Sequence, residues 1–102
     1  MERRDLDDRI FTLLMLYESN KRPLPRIGTD EQRRAMEENW AKGLLHNVTE
    51  MDTVKELKGT PAEALLRDSI EDARKGDPAK LEHVCERLRK VLEFLRQPAA
   101  KA

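Results

Sequence analysis

Apolar residues along this chain recur three and four positions apart, with charged residues between them, and fall into four stretches bounded by helix-start and helix-stop signals. In the first stretch Asp5 is the expected cap, Asp7 and Asp8 lie in the first turn, where carboxylates favour the positive end of the helix dipole, and the helix runs to about Ser19. Setting residues about 100° apart places Leu6, Ile10, Leu13, Leu14, Leu16 and Tyr17 on one broad face, with Phe11 and Met15 nearly opposite. From Ile10 to Tyr17 the helix is therefore apolar all round. Either the domain buries both faces, or the second face is kept for another chain.

A connector from Asn20 to Gly28 follows, in which Pro23 and Pro25 forbid helix and favour an extended path. Thr29 with Gln32 forms a capping-box pattern, backed by Asp30 and Glu31, and starts a second helix whose stripe is Met36, Trp40, Leu44, Val48 and Met51. Gly43 beside that stripe is a candidate for a close helix crossing. Thr53 with Glu56 repeats the capping-box pattern, so residues up to Lys58 form either a short separate helix or a bent continuation, ended by Gly59. Thr60, Pro61 and Glu63 combine a cap, a proline at the first helical position and a glutamate at the third. The third helix they start presents Ala62, Leu65, Leu66, Ile70 and Ala73 inward and stops at Gly76. Asp77 and Pro78 open a fourth, ended by Pro98, with Leu81, Leu88 and Leu95 seven apart and Val84, Cys85, Val91 and Leu92 between them. The heptad spacing persists too briefly for a coiled-coil seam, so a bundle helix is expected.

These elements predict an all-α fold: one small bundle of four main helices, with a fifth short one as an option, over residues 1–98, and a frayed tail at 99–102. Composition agrees, since 39% of the 102 residues are charged, only 4% are aromatic, and most of the fourteen leucines fall in the helical stripes. Twenty basic residues balance twenty acidic ones, so no global field draws the chain to nucleic acid or an anionic membrane. No apolar run approaches the roughly 20 residues needed to cross a bilayer, and the amino terminus does not read as a signal peptide; the expected location is the cytoplasm.

Candidate chemistry is sparse. One cysteine, Cys85, and two histidines build neither an intrachain disulfide nor a closed zinc site, and neither a metal nor another cofactor is expected. Asp68 with Asp72, His46 with Glu50, and His83 with Glu86 stand three or four apart and can meet, which any highly charged helix surface produces. Cys85, at the edge of the fourth stripe, reads as a buried structural thiol. No phosphate loop, nucleophile elbow or paired-cysteine motif is present, so the sequence shows no catalytic constellation.

Two short stretches resemble known motifs. Arg22-Pro23-Leu24-Pro25 resembles the first half of the proline-rich peptides that SH3 domains bind, which marks Arg22, Pro23, Leu24, Pro25 and Arg26 as a possible loop contact; Gly28 stands where the second proline would be. Gly28-Thr29-Asp30-Glu31-Gln32-Arg33, with Ala35, Met36 and Glu37, resembles a stretch near the start of nitrile hydratase β subunits. That resemblance implies only that a small helical chain can serve as an accessory subunit.

The expectation is therefore a non-catalytic helical protein–protein interaction module, acting as a self-associating adaptor (a homo-oligomer) or as an accessory or regulatory subunit. Phe11, Met15 and Phe94 are its candidate partner-binding residues. One alternative is a nucleic-acid-binding regulator using the 21–42 segment. There Lys21, Arg22, Arg26, Arg33, Arg34 and Lys42 face Asp30, Glu31, Glu37 and Glu38, a surplus too small to favour it. The other is a helical subunit of an enzyme whose active site is shared with another chain, with His46, Glu50, His83 and Glu86 as the groups to watch.

Overall fold

The computed structural model describes residues 1–19 and 28–97. The residues on either side of the proline connector, and the four predicted stripes, lie within that range; the connector's Arg22, Pro23, Leu24, Pro25 and Arg26, and the tail with Pro98, lie outside it. Among the described residues there are four α-helices and no strand: α1 (Arg3–Ser19), α2 (Asp30–Thr49), α3 (Pro61–Arg74) and α4 (Leu81–Arg96). Single 3-10 turns, Lys55–Leu57 and Pro78–Lys80, precede α3 and α4. The expected all-α bundle is the observed fold.

Helix α4 is the centre of the packing, with α3 against one side and α1 against another, while α2 lies along α3 and meets α1 only sparingly. All seven residues of the α4 stripe are buried, including Cys85 at 1% exposure. Polar ties fix α1 antiparallel to α4. Arg96 donates from Nε and Nη2 to the two carboxylate oxygens of Asp7, each at 3.1 Å, and Arg89 donates to Glu18 at 2.8 Å. Arg3 donates from Nε to the Leu95 carbonyl at 3.1 Å, placing a cation at the negative end of α4.

The ends of the helices depart from the sequence reading in instructive ways. Helix α1 begins three residues earlier than expected, because the Leu6 N–H donates to the Glu2 carbonyl; Asp5 thus sits in the first turn and is not the cap. At α2 the capping box forms in full: Thr29 Oγ1 accepts from the Gln32 N–H at 3.2 Å, and Gln32 Oε1 accepts from the Thr29 N–H at 2.9 Å. The other two predicted boxes do not form. Thr53 is not a cap, since the short turn starts after Val54, and the Thr53 N–H instead donates to Asp52 Oδ1 at 2.8 Å. Thr60 occupies the cap position of α3 but turns its hydroxyl back to the Leu57 carbonyl, and Glu63 accepts from the Thr53 hydroxyl and the Gly59 N–H. Both side chains serve the connection that delivers the chain from α2 to α3. Gly59 and Gly76 hold φ of +76° and +68°, a left-handed backbone that ends each segment cleanly. Asp77 then caps the turn into α4 by accepting from the Ala79 N–H at 3.0 Å.

Between α3 and α4 the principal tie is Arg87 to Asp72, with Lys75 at 3.8 Å on the same carboxylate. The hydrogen bond from Arg87 holds the Asp72 carboxyl below its ordinary value of 3.8. A carboxyl whose pKa is depressed by folding adds stability above its unfolded value, and that contribution drains away as pH falls through the lower folded value. Asp72→Asn should therefore be less stable than the parent at neutral pH, with the gap closing below about pH 4. Urea melts of both chains at pH 7, 4 and 2.5 check this; a gap that persists undiminished at pH 2.5 contradicts it.

Candidate functional site

On α1 the buried residues are Leu6, Ile10, Leu13, Leu14 and Tyr17. The opposite face stays in solvent: Phe11 is 43% exposed and Met15 52%, so the bundle does not bury both sides of the helix. Leu16, expected inward, is also 43% exposed. The reason is the thin contact between α1 and α2, where a cleft of about 240 Å3 opens beside Leu13, Leu16 and Met51. With exposed Thr12, these residues make an uncharged strip at positions 11, 12, 15 and 16, two turns of one face. The spacing was visible in the sequence, but assigning Leu16 to the core stripe hid it.

The strip has a structured edge. The Arg96 guanidinium lies over the Phe11 ring, 5.0 Å from its centroid, while still engaging Asp7. That cation–π contact fixes the phenyl orientation and leaves the rest of the ring exposed. Phe94, the third candidate contact, is half-buried and packed against the core.

On α2 the predicted stripe is realised only from Trp40 onward: Ala41, Leu44, Leu45, Val48 and Met51 are buried, while Met36 is 59% exposed. No residue from Asp30 to Asn39 is buried, so the first half of α2 projects past its neighbours. Trp40 stacks on Tyr17, rings parallel within 8° and centroids 5.9 Å apart, a pair that closes the α1–α2 end and that helical periodicity alone does not reveal. Its indole N–H is buried without an acceptor among the described residues. Gly43 is exposed, and a Cβ there would meet nothing within 4 Å, so it marks no helix crossing. In α3, Leu65 and Ile70 are only partly covered, and the fully buried Ser69, absent from the predicted stripe, donates to the Leu65 carbonyl at 2.8 Å. That internal bond is what lets a serine occupy a core position.

The titratable pairs resolve plainly. His46 and Glu50 meet at 3.3 Å, on the surface, with Arg9 at 3.9 Å from the same carboxylate. Asp72 meets Arg87, whereas Asp68 has no ion pair among the described residues. His83 and Glu86 are both exposed, and no group of three His, Cys, Asp or Glu among the described residues could hold a metal ion. No described helix is long and apolar enough to cross a membrane. The clefts are open surface depressions; where one brings Thr49 beside His46, the threonine hydroxyl donates to the His46 carbonyl at 2.6 Å and not to its ring. In the stretch that resembles nitrile hydratase β subunits, Thr29 and Gln32 make the α2 capping box and Asp30, Glu31 and Arg33 its first turn. No family model matches the chain, and neither a curated protein nor a solved structure matches it.

Proposed function

We propose that this chain is a non-catalytic protein–protein interaction module, a self-associating adaptor or an accessory or regulatory subunit, that engages its partner through the outer face of α1. The observation that carries the reading is the pair Phe11 and Met15, large apolar side chains about half exposed on one helix face of a chain that is 39% charged. Phe94, where it emerges from the core, is a second contact candidate.

Covering the exposed halves of two such side chains contributes about 2–3 kcal/mol, which is less than association costs in lost freedom. Phe11 and Met15 are therefore the anchor of a larger footprint. Phe11→Ser with Met15→Ser should weaken the contact about 30- to 150-fold. The fold should survive, because neither side chain fills the core. Sedimentation equilibrium over a range of concentrations reads self-association, and capture by the tagged chain, with the double variant alongside, reads a different partner. A mass or a captured protein lost in the variant supports the proposal. A strictly monomeric parent whose captured set is unchanged by the double substitution overturns it.

A further inference from the structure

We draw no further inference here: the strongest candidate, the cleft between α1 and α2 lined by Leu13, Leu16 and Met51, shares Thr12 and Leu16 with the α1 strip already described, and its rim sets one carboxylate, Asp8, against one guanidinium, Arg9, so nothing in the structure shows what covers it.

Discussion

Leu88→Ala is expected to lower the stability of the fold by about 3 kcal/mol, the middle of the range for removing a fully enclosed leucine. Leu88 is 0% exposed and lies midway along α4, the helix on which both α3 and α1 pack, with Leu81 and Leu95 one heptad to either side. Neighbours drawn from two helices cannot all collapse into the space, so the loss combines the transfer term with a residual cavity. A domain of this size holds about 5–10 kcal/mol in all, so the melting temperature should fall by about 12–25 °C. Met36→Ala, a change of comparable size at a 59% exposed position of α2, should move stability by no more than about 0.5 kcal/mol. Thermal and urea melts of the two variants check the pair. A fall of less than about 5 °C for Leu88→Ala would mean that α4 is not the centre of the core.

Helix α4 is also where sequence and structure agree most closely, and the reason is physical. A helix covered on several sides must keep its apolar residues in register over its whole length, so the heptad leucines and their neighbours could be read directly. Helix α1 was legible on its inner face, and its outer Phe11 and Met15 were recognisable as surplus to one stripe. Leu16 was misassigned because periodicity reports an arc of helix surface and does not say how far a neighbouring helix extends over that arc. Met36 failed for the same reason: its spacing continues the stripe, but α2 outruns its partners. The two unformed capping boxes at Thr53 and Thr60 show a different limit. The Thr53 hydroxyl donates to the Glu63 carboxylate and the Thr60 hydroxyl to the Leu57 carbonyl, and a motif of short polar residues names the possible donors and acceptors without choosing among them. The clefts between α2 and α3 could not be seen at all before the helices were paired, since Lys42 and His46 are remote from Arg67 and Arg74 along the chain.

Hydrogen exchange should divide α2 in two. From Asp30 to Asn39 no side chain is buried, and an isolated helix of about ten residues is marginal in water because its nucleation cost is not repaid by packing. Holding it are the Thr29–Gln32 box, worth about 1 kcal/mol, and the exposed pairs Arg33–Asp30 and Lys42–Glu38, worth a few tenths each. Local opening thus costs on the order of 1–2 kcal/mol, against at least about 5 kcal/mol for the global unfolding that exposes α4. Amides of Arg34 to Asn39 should therefore exchange at least about a hundredfold faster, relative to their unfolded rates, than those of Val84 to Leu92. Thr29→Ala should speed exchange in the first group about fivefold while leaving the second group and the melting temperature nearly unmoved, because the energy removed belongs to the arm alone. Equal protection in both groups would show that the arm opens only with the whole bundle, and that packing beyond the Trp40–Tyr17 stack holds it in place.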